Sequence, residues 1–129
     1  MRLLIDTTLL VDLARDELEK REVRFAQQIL SNENICFASA ASLWEVTIKT
    51  RLRKLDPLRP LHELPDLYET FGLKLLDVDH RHAIHWLQPE PSTRDPFDRL
   101  LLAQCAVEDL RLASIDRALA KHPFAWRPE

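Results

Sequence analysis

The stretch Arg2-Leu3-Leu4-Ile5-Asp6-Thr7-Thr8 decides how the rest of the chain is read. A short apolar run stops on a carboxylate, and helical spacing begins directly after it. A run that is apolar without alternation fits a strand covered on both faces, the habit of parallel sheets. Thr8–Arg15 then reads as a brief helix. Glu17–Leu30 reads as a longer one, with Leu18, Phe25, Ile29 and Leu30 apolar. The same sequence of elements recurs. Asn34–Phe37 is a second strand, and Ser39 is a good cap for a helix over Ala40–Arg53 carrying Leu43, Val46 and Leu52. Pro57, Pro60 and Pro65 punctuate the next stretch, a helix covers Leu61–Phe71, and Gly72 ends it. Leu73–Val78 is a third strand, and Asp79 caps a helix through about Leu87. Asp95 caps another helix with Pro96 at its first position, running to about Glu108. Leu110–Ile115 is a fourth strand, Asp116–Lys121 a short helix, and Phe124–Trp126 a final strand. Strands alternating with helices predict an α/β fold, a parallel sheet with helices on both faces. Ligands of such sheets gather beyond the carboxyl ends of the strands.

Composition narrows the function. At 129 residues the chain is the size of one domain, and residues 1–129 are read as one. Its 46% hydrophobic content is enough for a core and excludes a disordered chain. No apolar run approaches a membrane span, and the N-terminus lacks the apolar core of a signal peptide. Cys36 and Cys105 both lie in apolar runs, which reads as two small core residues in a reducing cytoplasm. Gly72 is the only glycine, so neither a P-loop nor a GxGxxG turn can be written. The net charge of −3 argues against nucleic acid in bulk. That argument fails where several acids share one metal site, since the rest of the chain is then balanced and bound cations turn the local field positive.

The acids carry the chemistry. Asp6 follows the first strand and Asp116 the last long one, so both project from the same edge of the sheet. Asp98 lies in the first turn of its helix, ahead of Leu100, Leu101, Leu102 and Ala103. Glu45 lies among Leu43, Trp44, Val46 and Ile48. Singly, each has an ordinary reading: Asp6 and Asp116 as caps, Asp98 favouring a helix dipole, Glu45 pairing with Lys49 one turn on. Together, placed after alternate strands, they repel one another and call for a hard divalent cation such as Mg²⁺ or Mn²⁺. The chemistry this points to is metal-assisted phosphodiester hydrolysis. A phosphatase using Asp6 as nucleophile is disfavoured, because Thr7 and Thr8 stand where a second acid would be expected.

Four motifs in order resemble the PIN-domain ribonucleases, and within them the VapC-type toxins of toxin–antitoxin pairs. They are Leu3-Leu4-Ile5-Asp6-Thr7; Ser39-Ala40-Ala41-Ser42-Leu43-Trp44-Glu45-Val46, continued by Ile48-Lys49 and Lys54-Leu55; Arg94-Asp95-Pro96-Phe97-Asp98-Arg99-Leu100-Leu101-Leu102-Ala103-Gln104; and Ser114-Ile115-Asp116-Arg117-Ala118-Leu119. The resemblance implies a PIN-like α/β/α sandwich around a central parallel β-sheet. It implies a metal-dependent endoribonuclease with RNA as substrate, a cognate antitoxin as partner, and a homodimer. Asp6, Glu45, Asp98 and Asp116 fall on the family's acidic positions, and Asp6 and Asp98 on those assigned as metal ligands. Thr7, Ser114 and Asp95 are expected to support the site, Asp95 as cap or second layer. A PIN-fold interaction module with weak activity is the alternative, disfavoured because all four acids are present.

Departures from the pattern touch none of the four acids and bear on loop geometry: Thr8 stands for a frequent histidine, and Arg53 and Asp109 for frequent glycines. Lys49, Arg51, Arg53, Lys54 and Arg59 form a basic cluster, a phosphate-contacting rim or a solvated helix end. Lys49, Arg94 and Arg99 are candidate contacts for RNA or antitoxin. His82 and His85 read as surface residues of an exposed helix, since nothing completes a zinc site. Trp44 reads as core packing rather than a base-stacking platform. Leu9, Leu10 and Leu13 read as a partner groove or a core face.

Overall fold

In a computed structural model that describes residues 1–129, five strands form one parallel sheet in the order β3-β2-β1-β4-β5. They are β1 (Arg2–Ile5), β2 (Ile35–Ser39), β3 (Lys74–Leu76), β4 (Arg111–Ala113) and β5 (Ala125–Trp126). The helices are α1 (Thr7–Ala14), α2 (Leu18–Arg21), α3 (Val23–Ile29), α4 (Ala40–Arg51), α5 (Leu64–Thr70), α6 (His80–Ala83) and α7 (Pro96–Glu108). No helix is long and apolar enough to cross a membrane.

Strand periodicity sorts the core into two layers. Leu3 and Ile5 of β1 join Cys36, Ala38 and Ala113 under α1, α2, α3 and α5. Leu4 and Leu112 point the other way, into a cluster with Leu101, Leu102 and Cys105 of α7. The sheet is therefore apolar on both faces, as its unbroken runs require. Leu9, Leu10 and Leu13 are buried in the first layer and form a core face, not an open groove. Burial pushes the Cys36 thiol up to about 11 and raises Cys105 further, so both remain protonated core residues.

Helix α4 belongs to both layers: Ala41 packs with the α7 cluster and Val46 with the α1 cluster. Its start is fixed by Ser39, whose hydroxyl accepts from the Ala41 amide at 3.0 Å and donates to Gln104 of α7 at 2.5 Å. Gln104 is fully buried and also donates to the Asp77 carbonyl at 3.2 Å. This polar tie sets α4, α7 and the exit of β3 in one frame at the carboxyl edge of the sheet.

The structure corrects four local expectations. Glu17–Leu30 is two helices, broken at Glu22, where φ is −140° and ψ 68°. The turn lets Leu18 and then Phe25, Ala26 and Ile29 reach the same core layer. The helix capped by Asp79 ends at Ala83, not Leu87. Asp116–Lys121 forms successive tight turns, with Leu119 N–H bonded to the Asp116 carbonyl and Ala120 N–H to that of Arg117. Finally, His82 is buried, not on the surface.

Candidate active site

Asp6 leaves β1 at its carboxyl end. Its amide continues the ladder to the Ala113 carbonyl at 3.0 Å, and its carboxylate caps α1 through the Leu9 amide at 3.0 Å. Extended backbone at Asp6 followed at once by helix makes it an ordinary N-cap by geometry. Its electrostatics are not ordinary. Burial pushes its carboxyl up to about 6, and the charges of Asp116 and Glu45 push the same way, against a lowering hydrogen bond with Ser114. Asp98, in the first turn of α7, is also pushed up to about 6, by burial first, then by Asp95, with Asp116 and Glu45 adding to it. Asp6 and Asp98 thus each lie within the field of Glu45 and Asp116, residues brought by β1, α4, α7 and the loop after β4. Asp6 and Glu45 are buried, Asp98 half-buried and Asp116 exposed, which leaves the cluster open to solvent on one side.

The supporting residues sort themselves by their bonds. Ser114 is buried. Its hydroxyl accepts from the Asp116 amide at 3.0 Å, and it lies beside Asp6, whose carboxyl it draws down against the effect of burial. Asp116 itself caps the turn through the Ala118 amide at 2.9 Å. Asp95 is the N-cap of α7, accepting from the Phe97 amide at 2.8 Å. Thr7 donates its hydroxyl to Ser42 at 3.0 Å, tying α1 to α4, and lines the same groove as Glu45. Thr93 was not foreseen. Its hydroxyl donates to Asp98 at 3.2 Å and accepts from the Asp95 amide at 3.2 Å. A hydroxyl two residues before the cap was the available signal, since Thr so placed bonds forward to the backbone.

The three candidate contact cations stand differently. Lys49 places its ammonium 2.5 Å from Glu45, one turn away on α4. That bond, with the charges of Glu45, Asp95 and Asp98, raises the lysine above its usual range. Arg94 is exposed. Arg99 instead braces the loop before α7, donating to the Thr93 carbonyl at 2.8 Å, Glu90 at 2.7 Å and the Pro91 carbonyl at 3.2 Å. A groove of about 210 Å³ runs from Glu45 and Lys49 past Thr7 and Thr8 to Asp12, Arg15 and Arg21. Trp44 is 61% exposed, against the expectation of core packing, and meets Phe97 edge-on at 5.7 Å.

Asp79, His82 and Glu108 form a second cluster, between α6 and α7. It is a latch. His82 accepts the Asp79 amide on Nδ1 at 3.0 Å, so its Nε2 carries the proton it gives to Glu108 at 2.6 Å. Arg81 bonds both carboxylates and holds Asp79 down to about 2. Both ring nitrogens are engaged and Arg81 pairs with both carboxylates, so hydrogen bonds and ion pairs account for this cluster without an ion.

The family model of the PIN domain matches residues 3–125, almost the whole chain. The chain belongs to the PIN-domain family. Its PIN domain is 43% identical over 53 residues to Ribonuclease VapC16 of Mycobacterium tuberculosis (strain ATCC 25618 / H37Rv). That match covers 40% of this chain and 38% of the relative, so it spans well under half of the relative's length. Among solved structures, the PIN fold here is similar to a chain of VapBC2 from Rickettsia felis, solved bound to a DNA fragment from their promoter. The TM-score is 0.63 at 14% identity, over 98% of this chain and 97% of that one. At that identity the likeness speaks for the fold. The α/β/α sandwich expected from the sequence is the one observed.

Proposed function

We propose that this PIN domain is a divalent-metal-dependent endoribonuclease and the toxin of a toxin–antitoxin pair. The observation that carries the reading is the convergence of Asp6, Glu45, Asp98 and Asp116 at the carboxyl edge of the sheet, with Asp6 and Asp98 both pushed up to about 6. Two buried or half-buried acids, each repelled by Glu45 and Asp116, fit a hard cation that takes oxygen ligands. Asp6 and Asp98 would hold Mg²⁺ or Mn²⁺, with Glu45 and Asp116 completing the acidic set. When bound, such an ion supplies positive charge to a phosphodiester's oxygens and makes water more acidic. The chain's own residues do the rest. Thr93 fixes the Asp98 carboxylate by a hydrogen bond, Ser114 holds the Asp116 amide beside Asp6, and Asp95 keeps the first turn of α7 in place. Glu45 and Asp116 stand where a carboxylate can take a proton from an attacking water. Arg15, Arg21 and Lys49 line the adjoining groove and suit the phosphates of an RNA strand, a contact also open to Arg94.

The curated relative's name, Ribonuclease VapC16, supports RNA as the substrate, and the VapBC2 likeness supports an antitoxin partner. A homodimer belongs to the same reading. The test is inducible expression with sequencing of new RNA 5′ ends, with Asp98→Asn beside the wild type. Discrete new ends with wild type alone support the proposal and reveal the target. Equal cutting by both variants places the chemistry elsewhere. Soluble protein that generates no new ends favours a PIN-fold interaction module.

A further inference from the structure

We infer that Lys49 is a tethered counter-ion that competes with the divalent cation for the acidic cluster, holding Glu45 until the metal arrives. The inference rests on the metal-site reading above and assigns a role to a residue outside the four acids. Its ammonium lies 2.5 Å from Glu45, and its charge also acts on Asp95 and Asp98. Glu45 is nearly buried, with its side chain 8% exposed, so its charge needs a partner in any state. Lys49 can serve and can leave, because its own side chain is 45% exposed and lines the groove that continues to Arg15 and Arg21. The bond joins residues four apart on one helix, so release costs α4 nothing in backbone structure. A dication held by Asp98, whose charge already acts on Lys49, would set a like charge against the ammonium, and the two repel. The ammonium then swings from Glu45 into the groove, where the phosphates of a bound strand would take it. Metal loading and strand binding are coupled through one side chain. In the resting protein the same lysine weakens binding of the metal.

The competition predicts a gain of function in binding, which loss of a merely structural residue would not produce. Mn²⁺ binding to the free protein, without RNA, is measured by electron paramagnetic resonance for wild type, Lys49→Gln, Lys49→Arg and Asp98→Asn. Removing the charge in Lys49→Gln tightens Mn²⁺ binding by about three- to tenfold, the scale of a part-exposed ion pair. Lys49→Arg keeps the charge and stays near wild type. Asp98→Asn loses the site. Unchanged or weaker binding in Lys49→Gln, with Asp98→Asn still losing the ion, overturns the counter-ion role and leaves the metal site standing. Binding that Asp98→Asn does not alter overturns the metal-site reading and the inference with it. Circular dichroism of each variant checks that the fold is intact.

Discussion

Asp6 and Asp98 pull the molecule in two directions. Each is pushed from an ordinary 3.8 to about 6, chiefly by burial, so the folded chain binds these protons more tightly than the unfolded chain. The stability this gives is present below pH 3.8 and is lost as pH rises through about 6. Metal-free protein is therefore expected to lose unfolding free energy across that window, measured by urea titration in chelator. Asp98→Asn removes part of the slope and, at neutral pH without metal, stabilises by about 1 kcal/mol after allowance for its partial exposure. Asparagine can still accept the Thr93 hydroxyl, so the local bonding survives. Under the proposed function the same substitution is expected to lower RNA cleavage by roughly 10²–10³-fold, the cost of several kcal/mol of lost charge stabilisation. At this scale the sequence was legible where an acid follows a strand: Asp6 and Asp116 could be placed from position alone. Thr93 could not, because its bond to Asp98 depends on the fold of a loop. Lys49 could be paired with Glu45 by spacing, but its place in the field of Asp95 and Asp98 needed α4 and α7 to be set against each other.

Helix ends carry the next level of argument. Arg53 and Asp109 both follow helices and both adopt left-handed backbone, φ 57° in each case. They are the two positions where glycine was the expected residue. After α4 the amide of Lys54 reaches back to the Lys49 carbonyl at 2.9 Å, and after α7 that of Leu110 reaches Cys105 at 2.9 Å. Such closures favour glycine, because a Cβ is crowded there. Arg53→Gly is expected to stabilise by about 0.5–1 kcal/mol, read as a higher midpoint in denaturant. The gain is smaller at Asp109, since Asp tolerates this region better than Arg. Gln104→Ala goes the other way. It strips partners from the Ser39 hydroxyl and the Asp77 carbonyl and opens a cavity, costing about 2–3 kcal/mol by the same measurement. Element positions were readable because apolar runs and caps such as Ser39, Asp79 and Asp95 mark them. The break at Glu22 was not, because the periodicity of Leu18, Phe25 and Ile29 suits one helix as well as two. Trp44 misled for a similar reason. Its neighbours Leu43 and Val46 turn to the core, while its own position faces outward beside Phe97.

Across the whole molecule, an acid cluster at the edge of a sheet with two apolar faces is a stored repulsion. The two core layers hold it together, and under the proposed function a bound divalent ion would relieve it. Mg²⁺ or Mn²⁺ is thus expected to raise the unfolding temperature of the wild type and to do little for Asp98→Asn, because a ligand bound only by the folded state stabilises by mass action. Differential scanning fluorimetry with and without chelator reads this directly. The parallel sheet and its helical layers were visible in the sequence, since unalternated runs such as Leu3–Ile5 admit few other folds. The latch of Asp79, His82 and Glu108 was not, because it joins the turn of Asp79 and His82 to Glu108, which lies far along the chain at the end of α7. The central claim is that the four acids form the cutting site of a metal-dependent ribonuclease. It is tested most directly by incubating purified protein with RNA and Mn²⁺, wild type beside Asp98→Asn, each with and without chelator. The account predicts discrete fragments from wild type with Mn²⁺ alone. Fragments that persist in chelator, or that Asp98→Asn generates equally well, would contradict it.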